Sequence, residues 1–248
     1  MLQQERHNII LKEINLHGKV TTTGLCRLLK VSLDTIRRDL TELENQGSIV
    51  KVHGGAVSKT FHIPFQQPRV YAQEEKKRIA EKAVSLLKDD MVALLGGGTI
   101  MLELARLIPR EFKGTLFTVS PLVALEAAEN SRSQVILLGG RLSAESYICT
   151  GAAVISQLQQ IRADFCFLGS NGTSLKGGIT EDDWEVAQIK KTMMQAADKT
   201  VMMSISEKIE VVQKMKVCNL QAIDCLVTEL NPGDKRLARY SKVIKKLL

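Results

Sequence analysis

The chain has 248 residues, 44% of them hydrophobic and 25% charged, with a formal net charge of +7 and a pI near 9.2. That length suits two unequal domains, and the surplus of cations suits a polyanionic partner without proving one. Five scattered cysteines with no Cys-x-x-Cys pair exclude a disulfide framework and a cysteine zinc site, and with no histidine after His62 a Ser-His-Asp triad or a His-ligated metal is excluded from the larger part.

The start, MLQQERHNII, has no apolar signal core, and no apolar run approaches a membrane span; the expectation is a cytoplasmic chain with no membrane partner. Residues 2–17 carry apolar positions at Ile9, Ile10 and Ile14 and predict a helix stopped by Gly18. Thr21 is placed to cap a second helix with Leu25, Leu28 and Leu29 inward. After a turn at Lys30-Val31, Ser32 is placed to cap a third helix with Leu33, Ile36, Leu40 and Leu43 on its inner face. Gly47 ends that helix, and SIVKVHGGAV predicts two short strands around a turn. Three helices and a ribbon over 1–57 make a winged helix-turn-helix.

With the leucines inward, Asp34, Arg38 and Thr41 face away from the core, and Thr35 and Arg37 flank them. Cations beside short polar groups, next to a ribbon carrying Lys51 and His53, suit a DNA groove. Arg38 and Thr35 are assigned to bases and Arg37 and Lys51 to phosphate, with Ser32, Asp34, Thr41 and His53 completing the candidate surface. The alternative is a solvated helix face, with Arg37 paired to Asp39 or Glu42.

Residues 58–73 lose periodicity and read as a linker. From 74 to 248 helix and strand alternate. Helices are expected over 74–88, 99–108, 121–130, 152–161 and 182–197. Strands are expected near 91–95, 116–119, 135–138, 165–168, 200–203 and 225–228. The strand cores are nearly continuous apolar runs, which predicts a mostly parallel, three-layer α/β domain. Glycine loops fall at three strand ends: LLGGGTI, LLGGRL and FLGSNGTSLKGGIT. Glycines let backbone amides approach an anion, so Gly98-Thr99 is a candidate phosphate cradle, with Arg141, Lys190 and Lys208 as cations. The plain alternative is three tight turns and a solvated lysine. Trp184 suits either a ligand reporter or core or interface packing, and Tyr147 either a lid or an exposed loop aromatic.

The stretch VTTTGLCRLLKVSLDTIRRDLTELENQGSIVKVHGGA resembles the N-terminal domain of the DeoR family of bacterial transcription regulators. It carries the turn Val31-Ser32, Thr35, the core Ile36–Leu40, Gly47 and His53–Ala56. The resemblance extends over nearly the whole chain. It implies a Rossmann-like, sugar-phosphate-isomerase-like sensor domain that binds a phosphorylated sugar or derivative. The effector residues it implies, together with the loop reading, are Gly97, Gly98, Thr99, Ser120, Gly139, Gly140, Arg141, Gly169, Asn171, Gly172, Lys190 and Lys208. Four positions depart from the family pattern, with Gly96, Val119, Val186 and Ile205 standing where polar or acidic residues are usual. A less typical phosphate-bearing ligand, or loss of the effector, is expected from those losses.

The function implied is a sequence-specific regulator, a repressor in most of the family. Its partners are a double-stranded operator and a small phosphorylated metabolite, and its assembly a homodimer or homotetramer. No cofactor, metal or catalytic residue is assigned. The alternatives are a sugar-phosphate isomerase fused to a DNA-binding module, and a large domain that serves only as an oligomerisation platform.

Overall fold

The computed structural model describes residues 2–17, 19–58 and 71–248. The chain divides into two compact units, Met1–Tyr71 and Ala72–Leu248. Most of the expected linker, from 59 to 70, lies outside the described residues, as does Gly18.

In the first unit α1 (Gln3–His17), α2 (Thr22–Leu29) and α3 (Leu33–Asn45) pack with a three-stranded antiparallel sheet. The sheet is ordered β1 (Lys19–Thr21), β3 (Gly55–Ser58), β2 (Ile49–Val52). Both caps expected from the sequence form: Thr21 Oγ1 accepts from Gly24 N at 3.1 Å and Ser32 Oγ from Thr35 N at 3.2 Å. Lys30 takes a left-handed φ of 53° in the turn between α2 and α3, and Gly47, at φ 72°, follows α3. The core joins Ile10, Ile14, Leu25, Leu29, Ile36, Leu40, Leu43, Ile49 and Ala56. Two expectations fail here. Leu28 is 52% exposed and Leu33 39% exposed. Leu33 is the first residue of α3, and that opening turn stands outside the core cluster.

The second unit is built on a seven-stranded parallel sheet. Its strands are β4 (Val92–Leu95), β5 (Thr115–Thr118), β6 (Gln134–Leu137), β9 (Ala163–Gly169), β12 (Ala197–Met203), β14 (Cys225–Val227) and β15 (Lys246–Leu247). The order is β15-β14-β12-β9-β4-β5-β6. From β4 the chain steps outward through β5 to β6, then returns to the other side of β4 at β9. Between β4 and β9 the winding reverses, which is where open α/β sheets leave a crevice beyond their carboxyl ends.

The helices are α4 (Gln73–Val84), α5 (Thr99–Leu107), α6 (Pro121–Asn130), α7 (Ala152–Leu158) and α8 (Trp184–Gln195). Helices α4, α5 and α6 contact one another in a row, and α7 contacts α8. Right-handed crossovers running in opposite directions put these two groups on opposite faces of the sheet. Two small antiparallel pieces went unforeseen: the hairpin β7 (Arg141–Leu142) with β8 (Cys149–Thr150), and the sheet β10 (Gly172–Ser174), β11 (Gly178–Glu181), β13 (Met215–Cys218).

Candidate functional site

Helix α3 offers water a shallow hollow lined by Asp34, Arg37, Arg38, Thr41, Glu42 and Asn45. Arg37 does not pair with Asp39. It sits 3.9 Å from Asp34, both side chains largely exposed, so it gives up little by turning to a phosphate. Lys51 ties the ribbon to this helix: its Nζ donates to Thr41 Oγ1 at 2.8 Å, and Thr41 Oγ1 donates to the Arg37 carbonyl at 2.8 Å. The Ser32 and Thr35 hydroxyls lie 2.8 Å apart at the helix start, and His53 is exposed at the ribbon turn.

Asp39 points the other way. It is 1% exposed and takes Arg6 Nε and Nη2 on its two oxygens at 2.8 and 2.9 Å, with His7 Nε2 at 3.2 Å. Burial pushes its carboxyl up, but the Arg6 hydrogen bond and charge, with His7 beside them, outweigh that and hold it below the usual range. Ile36, Asp39, Leu40 and Leu43 share the inner stripe of α3, so the acid fastens the cation-bearing helix to α1.

In the second unit Gly96 N donates to the Phe167 carbonyl at 2.9 Å, which brings the Gly96–Thr99 loop beside the end of β9. A Cβ on Gly97 would overlap Ile148 Cγ2, and Gly98 takes a φ of 94° immediately before α5. Gly169, Ser170 and Asn171 leave the end of β9 with two lysines clasped on them. Lys190 Nζ donates to the Gly169 carbonyl at 2.7 Å and pairs with Glu181. Lys208 Nζ donates to the Ser170 carbonyl at 3.0 Å and to Asn171 Oδ1 at 2.9 Å. Asn171 Nδ2 donates in turn to Glu181 at 2.8 Å and to Asp182 at 2.9 Å. Burial lowers the Lys208 pKa, and Glu181 opposes that fall.

The remaining sequence candidates divide. Thr99 opens α5 next to the glycine loop. Ser120 is buried and already engaged, donating to the Tyr147 carbonyl at 3.2 Å and capping α6. Gly172 is close-packed against Thr180 and Val211 and shapes the fold. Gly139 and Gly140 lead into β7, where exposed Arg141 pairs with Glu185 of α8 rather than joining the lysines. Trp184 is 61% exposed with Lys191 Nζ 5.7 Å from its ring centre, so it is not a core residue. Gly96, Val119, Val186 and Ile205, the departures from the family pattern, are buried.

Three residues of the larger unit were given no role by the sequence reading. Glu181 is 1% exposed and holds Lys190. Lys76 and Glu103 are 9% and 6% exposed. Lys76 shares a stripe with Ile79, Ala80 and Ala83, and a lysine in an apolar stripe is a signal the sequence does carry.

A winged helix-turn-helix joined to an α/β unit with glycine loops and clasped lysines beyond its strand ends is the plan of a transcription regulator with a sensor domain. Residues 6–61 match the DeoR-like helix-turn-helix domain and residues 71–230 the DeoR C terminal sensor domain. The HTH-type transcriptional regulator GolR of Listeria innocua serovar 6a is 31% identical over 232 residues, 92% of this chain and 91% of that protein. The HTH-type transcriptional repressor GlcR of Bacillus subtilis (strain 168) is 32% identical over 236 residues, 94% and 91%. A ribose 5-phosphate isomerase A from Methanocaldococcus jannaschii aligns over 56% of this chain and 55% of its own, at 17% identity and a TM-score of 0.42, too distant a likeness to bear on function. The chain belongs to the DeoR family and is a helix-turn-helix DNA-binding transcription regulator.

Proposed function

We propose that this regulator is a cytoplasmic repressor of a sugar or carbohydrate catabolic operon, and that a phosphorylated sugar-like metabolite in the switch-point crevice releases it from DNA. The observation that carries the proposal is the convergence of Lys190 and Lys208 on the carbonyls of Gly169 and Ser170, at the end of the strand whose Phe167 carbonyl accepts from Gly96 N. Backbone amides, glycines and ammonium groups together suit a phosphate. That the relative GlcR is a transcriptional repressor supports the sign of regulation.

At the operator, Arg38 and Thr35 read bases while Arg37 and Lys51 meet phosphates. Ser32, Asp34, Thr41 and His53 complete the surface. A two-fold assembly places recognition helices about 34–36 Å apart, on successive turns of the major groove. The metabolite acts by binding a conformation with low operator affinity better than one with high affinity.

The crevice binds and does not turn over its ligand. Its best-placed carboxylate, Glu181, already accepts from Lys190, from Asn171 N at 3.2 Å and from Asn171 Nδ2, which leaves it poorly disposed to act as a base. Genomic footprinting supplies the operator. Fluorescence anisotropy on that DNA, titrated with pentose and hexose monophosphates, then tests the release. One of them should weaken binding at least several-fold, and the neutral sugar should not. If none shifts operator affinity, the proposal fails.

A further inference from the structure

Leu33 is the residue of α3 that its spacing places in the core and the structure leaves 39% exposed, at the first position of the helix. A lone exposed leucine carries no meaning by itself. The company this one keeps does. At about 100° per residue, Leu33, Arg37 and Thr41 lie one turn apart in a single row along the border of the exposed face. The far end of that row is fixed to the ribbon. Thr41 Oγ1 donates to the Arg37 carbonyl at 2.8 Å, Lys51 Nζ donates to Thr41 Oγ1 at 2.8 Å, and Lys51 N donates to Glu44 Oε1 at 2.9 Å. Leu33 stands at the near end, beside Asp34, whose carboxylate is 3.9 Å from Arg37.

When a helix-turn-helix docks, the N-terminal residues of its second helix reach the base edges, and helical side chains lean back toward that end. The start of α3 is well defined: Ser32 Oγ accepts from Thr35 N at 3.2 Å and lies 2.8 Å from the Thr35 hydroxyl. The core makes no claim on Leu33, because the α3 members of its cluster begin at Ile36. A leucine at this position has no charge for a phosphate and no donor or acceptor for a base edge. The major groove offers such a side chain one apolar partner, the C5-methyl group of thymine.

We infer that Leu33 packs on a thymine methyl in the operator and is a specificity-determining residue of this regulator. The inference adds an apolar contact to the polar and cationic ones assigned above, and it rests on α3 being the helix that reads DNA. The contact favours thymine at one position of each half-site. It releases no counterion, so it leaves the salt dependence of binding unchanged.

The test uses the full chain and the operator that footprinting supplies. Each thymine of a half-site is replaced in turn by deoxyuridine, which removes the methyl group alone, and binding is followed by fluorescence anisotropy. One replacement should weaken the wild type roughly 3- to 5-fold, the worth of one buried methyl. The same replacement should leave Leu33→Ala unaffected, because that variant has already lost the contact, and the variant should keep the wild-type salt slope. The wild-type scan needs no variant. If no replacement weakens binding, or if every one acts equally on wild type and Leu33→Ala, the inference is overturned, while reading by α3 stands as long as Arg38→Ala still relaxes base preference. Leu33→Ala and Arg38→Ala both leaving operator binding unchanged overturns both. A changed oligomeric state of DNA-free Leu33→Ala in sedimentation assigns the leucine to a contact between copies and also overturns the inference.

Discussion

The cations that the N-terminal unit offers a ligand stand in water, with the Arg37 side chain 66% exposed, whereas Lys190 in the larger unit is 12% exposed and Lys76 is 9% exposed as a residue. Among the described residues, the buried formal charge of the N-terminal unit is an anion, Asp39, which faces inward and carries structure. The two placements suit two kinds of anion. A polyanion the length of an operator never enters the protein, so its cations stay solvated and the affinity they give depends on salt. A small anion can be enclosed, and cations that receive one lose hydration; burial lowers the pKa of both Lys76 and Lys208.

The hardest way to break this comparison is Asp39→Ala. It removes the carboxylate that Arg6 and His7 share, and loss of one partner of a buried pair costs about 3–5 kcal/mol. Amide hydrogen exchange in α1 and α3 should accelerate accordingly, while the unfolding transition seen by Trp184, the single tryptophan, stays with the larger unit. The sign with pH follows from the lowered carboxyl. The Asp39 contribution is fully present above the ordinary aspartate range and is lost as pH falls through its depressed folded pKa. Unchanged exchange in α1 and α3 would remove Asp39 from the structural role given to it here.

Gly97→Ala probes the other unit. The added methyl would collide with Ile148 Cγ2 beneath the loop 96–99, and overpacking costs about 1–3 kcal/mol. The Trp184 transition should move and α1–α3 exchange should not, the mirror of the Asp39 result. Arg38→Ala comes next, with stability held and binding changed. It should weaken the cognate operator by roughly 1–3 kcal/mol and relax base preference at one position. A uniform loss on every sequence would reassign Arg38 to phosphate.

These residues also show what the chain betrays before it folds. The caps at Thr21 and Ser32, and the alternation of helices and apolar strands, rest on local chemistry and were legible. The glycine loops were legible as strand ends, yet nothing local says that Arg141 turns to Glu185 or that Ser120 is spent on a cap and a carbonyl. Short pieces such as β7–β8 and β10–β11 form only because the larger sheet presents them to each other, so periodicity does not announce them. Asp39 and Lys76 are a third case. Each occupies one place in an i, i+3, i+4, i+7 apolar stripe, with Ile36, Leu40 and Leu43 around the first and Ile79, Ala80 and Ala83 around the second. Their spacing places them inward, a sign the sequence analysis left unused, and only the fold shows that Asp39 meets Arg6 and His7 there.

Leu33 inverts that case and carries the smallest expected effect. Its spacing from Ile36 and Leu40 puts it on the same stripe, but α3 begins at Leu33 and the stripe has no core to meet there. Together with Leu28 and Val52 it leaves apolar surface exposed on the DNA-reading unit. Leu33→Thr keeps a β-carbon and removes apolar area that is already partly wet, so urea unfolding of the N-terminal unit should shift by less than about 0.5 kcal/mol. A shift of about 2 kcal/mol or more would mean that Leu33 is fully buried. The inner stripe of α3 would then run its whole length, and the helix would present a narrower face to DNA than the exposed Leu33 implies.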